Sequence, residues 1–208
     1  YEEREEPVAG GDLYISLDVN LQNYAVQACK KVKKEKKAKQ VSMILMNPQN
    51  GEIYAMANST SYNLESPRDD KNLLKKYSQS QVNKMSEKEK TKAFNEIWKN
   101  PIVSNAFEPG STYKPFTVAA GLEEGILKGN ETYYCDGYQK VGPHTIHCSH
   151  RSGHGLITLS QSISLSCNDA LMQIAAKEGK NVFARYQKNF NFGNKTGIDL
   201  PGEASSIM

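Results

Sequence analysis

The 208-residue chain carries 26 Lys+Arg against 23 Asp+Glu, a formal net charge of +3, with 38% hydrophobic and 24% charged residues. That composition is globular and excludes a wholly disordered or fibrous chain, and so small a net charge gives no argument for nucleic acid as a partner. No run approaches the roughly 18 apolar residues that a membrane span needs, and Tyr1-Glu2-Glu3-Arg4-Glu5-Glu6 lacks the cationic start and apolar core of a signal peptide.

Residues 1–10 read as the end of a linker and residues 11–208 as part of one domain. Asp18 is placed to cap a helix in which Leu21, Tyr24, Ala25, Ala28, Cys29 and Val32 recur at spacings of three and four, so that face is expected to be buried, with Cys29 in the core. The helix runs into Lys30, Lys31, Lys33, Lys34, Lys36, Lys37 and Lys39, read as its solvated end, with an anionic surface or polymer as the sharper alternative. Val41–Met46 and Ile53–Ala57, around the turn Asn47-Pro48-Gln49-Asn50-Gly51, predict an antiparallel hairpin. A helix feeding such a hairpin points to the α+β class.

From Ser61 to Asn100 the chain is highly charged and only weakly periodic, which predicts a surface excursion with local helix. Phe116–Leu122 is an apolar helical run introduced by Pro109-Gly110. A stretch rich in Cys, His and Gly follows, Tyr133–Gly155. A helical pattern then opens at Thr158, breaks at Ser166-Cys167-Asn168, resumes to Gly179, and is followed by a short helix near Val182–Tyr186 and a Gly/Pro-containing tail.

The chemistry concentrates in two places. Ser111 in Glu108-Pro109-Gly110-Ser111-Thr112-Tyr113-Lys114-Pro115 falls in the first turn of a helix, where unpaired amides and the positive dipole end favour negative charge on its oxygen. Lys114 lies one turn on, and burial would lower its ammonium pKa toward the range of a general base. Ser166 and Asn168 sit at the helix break, where a loop can present a hydroxyl and an amide to the same cleft.

Ser-x-x-Lys followed by Ser-x-Asn resembles the serine penicillin-binding proteins, which add a third, Lys-Thr-Gly motif. The resemblance extends over Gly11–Asp18 with Leu21-Gln22, over Asn47–Ala57, and over Thr196-Gly197-Ile198-Asp199-Leu200-Pro201-Gly202-Glu203; the nucleophile segment looks like that of the class B, monofunctional branch. It implies the penicillin-binding protein/β-lactamase-like transpeptidase fold, an antiparallel sheet with flanking helices and a helical subdomain, incomplete in this chain. Lys195-Thr196-Gly197 spells the third motif but opens a Pro/Gly turn soon after Asn168, so it is read as structural. The true third motif and one oxyanion donor are then expected beyond Met208, with the chain forming about the first two thirds of a catalytic domain.

The family's chemistry would make Ser111 the nucleophile on the carbonyl between the terminal D-alanines of a peptidoglycan stem peptide, Lys114 the general base, Ser166 a proton relay and Asn168 a substrate and Lys114 anchor, with the Ser111 amide as one oxyanion donor. The implied partners are stem peptides, β-lactam antibiotics and cell-wall synthesis proteins of growth, division or sporulation. The implied location is the extracytoplasmic side of a bacterial membrane, reached through an anchor outside this chain. Two other readings stay open. One is an acyl-serine protein that hydrolyses or senses β-lactams, although no Glu-x-x-Leu-Asn segment follows Asn168; the other is an inactive cell-wall scaffold.

The chemistry itself needs no cofactor. Cys135, Cys148, His150 and Cys167 nevertheless offer three thiolates and an imidazole, the ligand set of a closed structural zinc site, with Asp136 or His147 as substitutes for one of them. A Cys135–Cys148 disulfide or free thiols are the competing readings. His154, within Gly153-His154-Gly155, is expected to be a structural hydrogen-bonding group rather than a ligand.

Overall fold

A computed structural model describes residues 8–206. They form two compact units, one built on the chain up to Asn105 together with Leu200–Gly202, the other on Ala106–Asp199 and the residues from Glu203. All strand pairing is antiparallel among the described residues, in three two-stranded sheets. Among the same residues no helix is long and apolar enough to cross a membrane.

In the first unit α1 (Val19–Lys36) starts at Asp18, whose carboxylate accepts the Leu21 amide at 2.8 Å, and ends at Lys37 in a left-handed turn. It packs on the hairpin of β1 (Ser42–Met46) and β2 (Ile53–Asn58) through Ala25, Cys29, Ala55 and Ala57. Only part of the expected stripe is buried. Tyr24 is exposed, whereas Gln22 turns inward to bond both the backbone N–H and the carbonyl of Met56.

The charged segment 61–100 is more ordered than its sequence predicts. It comprises a 3-10 turn, Asp70–Lys75, then α2 (Gln79–Lys84), α3 (Glu87–Trp98) and α4 (Pro101–Ser104). Ser78 with Gln81, and Ser86 with Glu89, form reciprocal capping boxes that start α2 and α3. Leu73, Val82, Ala93 and Phe94 bury a small core of their own, which explains why the pattern is weak: the apolar positions come from three short elements instead of one long face.

The second unit opens with a 3-10 turn, Gly110–Tyr113, that runs into α5 (Lys114–Glu123). The Cys/His/Gly stretch contains four strands: β3 (Thr132–Cys135), β4 (Tyr138–Val141), β5 (His144–His147) and β6 (Gly155–Thr158), with β3 paired to β6 and β4 to β5. α6 (Leu159–Ser164) begins at a Thr158–Gln161 capping box, and α7 (Asn168–Asn189) is interrupted at Gly179, whose φ of 75° leaves helical geometry. The core lies between α5, α7 and the β3–β6 sheet, and includes Val118, Ile157, Leu159, Ala170 and Ile174. Lys195-Thr196-Gly197 lies in no strand. The Glu203 carboxylate accepts the Thr196 amide at 2.6 Å and its hydroxyl at 2.8 Å, closing a turn.

Candidate active site

Ser111 stands exposed on the 3-10 turn and Lys114 follows as the first residue of α5, with the Lys114 amide bonded to the Ser111 carbonyl. Pro115 favours this helical start because its missing N–H falls where an amide would be unpaired. The turn is held from behind by aromatic rings. Tyr113 packs on Phe116, Phe183 and Phe192 with centroids 5.1–5.6 Å apart, and Phe116 meets Phe190 edge-on at 4.8 Å.

The Lys114 ammonium points to the α6–α7 junction. Its Nζ donates to the Ser166 carbonyl at 2.7 Å, to Ser166 Oγ at 2.9 Å and to Asn168 Oδ1 at 2.6 Å. Three N–H bonds and three acceptors match, so the resting geometry satisfies the charged form completely. Both Ser166 groups can face the lysine because Ser166 has φ 51°, a left-handed conformation that costs a non-glycine residue on the order of 1–2 kcal/mol. The Asn168 side chain is held from its other end, with Nδ2 donating to the His147 carbonyl at 3.1 Å. Burial lowers the Lys114 pKa from its ordinary value, and negative charge on Cys148 and Cys167 partly opposes that shift. No hydrogen bond joins the Ser111 hydroxyl to the Lys114 ammonium among the described residues. Such bonds commonly tighten only when substrate binds.

Cys167 of the Ser166–Asn168 loop belongs to a cluster of four groups. Cys135, Cys148 and Cys167 are buried free thiols, and their sulfurs together with one nitrogen of His154 all lie within 4.8 Å of one another. His154 Nδ1 is 3.6 Å from both the Cys135 and Cys148 sulfurs, and Cys148 Sγ is 3.8 Å from Cys167 Sγ. The imidazole in this group is therefore His154, contrary to the expectation that His150 would join the cysteines. His150 Nε2 instead bonds the Ser152 hydroxyl at 3.0 Å on the exposed side of the loop. Neither Asp136 nor His147 belongs to the group.

The backbone explains the choice. Gly137 (φ 100°) and Gly153 (φ 80°) let the β3–β4 turn and the 151–153 loop touch, since a Cβ on Gly153 would fall 2.2 Å from the Cys135 carbonyl oxygen and one on Gly137 2.2 Å from that of Arg151. That contact swings His154 inward. In sequence the signal was the pair of glycines flanking His154. Burial opposes charge on Cys148, but the backbone amides of His150, Asn168 and Asp169 overcome it and lower its pKa to about 6, whereas burial drives the Cys167 thiol upward.

Sequence reasoning missed Asp169, which is fully buried and accepts three hydrogen bonds. Its only sequence signal was position: an acid in the first turn of α7, next to Asn168.

Residues 41–208 match the profile of the penicillin-binding protein transpeptidase domain. The chain belongs to that family. Among curated penicillin-binding protein relatives, it is 30% identical over 203 residues to stage V sporulation protein D of Bacillus subtilis, and 28% identical over 209 residues to the peptidoglycan D,D-transpeptidase MrdA of Acinetobacter baumannii. These alignments cover 97% and 98% of the chain but 28% of each relative, so the chain spans somewhat over a quarter of their length. Among solved structures, penicillin-binding protein 3 of Mycobacterium tuberculosis superposes with a TM-score of 0.75 at 24% identity, over 98% of this chain and 41% of that one. The transpeptidase fold expected from the motifs is thereby established.

Proposed function

We propose that this transpeptidase domain cross-links peptidoglycan stem peptides through a serine acyl-enzyme and is a target of β-lactams. The observation that carries the reading is the three-way clamp of Lys114 on Ser166 and Asn168, because it brings two motifs far apart in the chain to one point beside Ser111. Relatives named peptidoglycan D,D-transpeptidase, and complexes of the M. tuberculosis protein with aztreonam and ampicillin, support it.

In this mechanism Lys114 acts in its neutral form, which its burial favours, and takes the Ser111 hydroxyl proton. Ser111 Oγ bonds to the carbonyl carbon of the penultimate D-alanine, and the Ser111 amide stabilises the oxyanion. Ser166 Oγ, already bonded to Lys114, passes the proton to the departing amine, so D-alanine leaves and the acyl-enzyme forms. An amine of a neighbouring stem then attacks the ester and restores Ser111. Asn168 keeps Lys114 in register and offers its amide to the substrate. The setting for this chemistry is the extracytoplasmic face of a bacterial membrane, alongside other cell-wall synthesis proteins.

A structural zinc ion held by Cys135, Cys148, His154 and Cys167 is the second part of the proposal. A tetrahedral zinc with ordinary bond lengths places sulfurs about 3.8 Å apart and sulfur about 3.6 Å from nitrogen; Cys148 and Cys167 are 3.8 Å apart, His154 Nδ1 is 3.6 Å from the Cys135 and Cys148 sulfurs, and all four ligand atoms lie within 4.8 Å of one another. Bound there, the ion supplies a rigid cross-link between the β3–β6 region and the loop that carries Ser166 and Asn168.

The test of the activity is incubation of the purified full-length protein with a peptide ending in D-Ala-D-Ala, following D-alanine release and the mass of the protein. Release, with the acyl mass on Ser111, is expected; release that persists in Ser111→Ala would refute it.

A further inference from the structure

The Asp169 carboxylate is 0% exposed, and no basic side chain pairs with it among the described residues. Burying a carboxylate is costly unless hydrogen bonds replace its water. Here they do. Oδ2 accepts the Asp136 backbone N–H at 3.2 Å, and Oδ1 accepts the Gln139 side-chain amide at 2.6 Å and that of Gln173 at 2.8 Å. Gln173 also donates to the Tyr134 carbonyl at 2.9 Å. One carboxylate thus collects β3, the β3–β4 turn and β4 onto the first turn of α7.

An acid in the first turn of a helix needs no such network to interact with the dipole, since an exposed side chain would do the same. What the burial adds is location. Asp169 follows Asn168, whose oxygen holds Lys114, and two of its three donors, Asp136 and Gln139, come from the start of the hairpin whose second strand supplies the His147 carbonyl that holds the other end of Asn168. The Asn168 amide is therefore fixed at one end by the lysine and at the other by a hairpin that Asp169 anchors.

We propose that Asp169 is a positioning residue of the acyl-transfer site, acting through Asn168 to set the height and direction of the Lys114 ammonium. The inference rests on the transpeptidase reading of Ser111 and Lys114 and does not depend on a metal. An amide at this position keeps one acceptor but turns an N–H toward donors, so Asp169→Asn replaces an attraction by a donor–donor conflict without changing shape. A displacement of the lysine by a fraction of an ångström lowers the rate of the covalent step while leaving ligand affinity largely intact.

The experiment measures acylation of the full-length protein by a fluorescent penicillin, resolving the first-order acylation constant from the dissociation constant and recording its pH profile. For Asp169→Asn the acylation constant is expected to fall 10- to 100-fold, with the dissociation constant within 3-fold and the pH profile displaced. The double variant Gln139→Glu/Asp169→Asn, which exchanges donor and acceptor at the Gln139 contact while Gln173 remains a donor, is expected to recover at least 3-fold of the loss in the acylation constant. Should Asp169→Asn fail to fold, Gln139→Leu removes one donor and is expected to lower the constant 3- to 10-fold. Folded Asp169→Asn or Gln139→Leu acylating within 2-fold of the parent, or no recovery in the double variant, overturns the proposal. Absence of acylation in the parent itself overturns the transpeptidase reading and the proposal with it.

Discussion

Glu178 of α7 is 6% exposed, and neither carboxylate oxygen has a hydrogen-bond partner among the described residues. It lies against α5, where a Cβ on Gly121 would come 2.8 Å from Oε1, and near Tyr133 and Tyr113, whose ionisation its charge opposes. Burial pushes its pKa from an ordinary 4.5 up to about 7. An acid whose pKa is higher in the folded than in the unfolded state is destabilising once the unfolded chain ionises: stability falls as pH rises from the unfolded to the folded value and stays low above it. A shift of this size corresponds to roughly 3 kcal/mol at pH 8 and under about 1 kcal/mol at pH 5. Glu178→Gln, which cannot ionise, is therefore expected to gain roughly 2–3 kcal/mol relative to the parent on going from pH 5 to pH 8. Urea unfolding followed by circular dichroism at the two pH values measures that difference. An increment equal at both would show that Glu178 is solvated or paired in the native protein, and the burial argument would fail.

Other outcomes follow from the site. In the proposed mechanism Lys114 acts as a neutral base, and burial lowers its pKa, so acylation by penicillin is expected to rise with pH and level off below the ordinary lysine value of 10.5; a rate flat across that range would exclude it as the titrating group. Metal analysis is expected to give one zinc per chain, lost in His154→Ala and kept in His150→Ala, whereas a Cys135–Cys148 disulfide by mass spectrometry with no zinc would contradict the four-ligand site. Gly153→Ala, which forces a Cβ against the Cys135 carbonyl and a side chain into φ 80°, is expected to cost about 2 kcal/mol or more in urea unfolding and to lower the zinc content; parent-like stability would refute the role given to that turn.

How much was legible in the sequence depended on whether the signal was local. Asp18, Thr158 and the Asn47–Gly51 turn act over four or five residues, and the helix starts and the hairpin they announce are where the residues say. The Ser111, Lys114, Ser166 and Asn168 constellation was readable because family motifs encode contacts that a lone chain does not reveal. Four strands between Thr132 and Thr158 went unread because each has only four residues, too few for alternation to register. The choice between His150 and His154 turned on a backbone contact of the left-handed Gly137 and Gly153, and Asp169 looked like an ordinary first-turn acid until Asp136 and Gln139, two of its three donors and 30 to 33 residues earlier in the chain, folded onto it.

The most direct test of the central claim is the site of β-lactam attachment. Full-length protein treated with labelled penicillin, digested and read by tandem mass spectrometry is predicted to carry a single stable acyl group on Ser111, absent in Ser111→Ala and slowed at least 100-fold in Lys114→Ala. A label on any other residue, or none on a protein whose Ser111 and Lys114 are intact, would contradict the account.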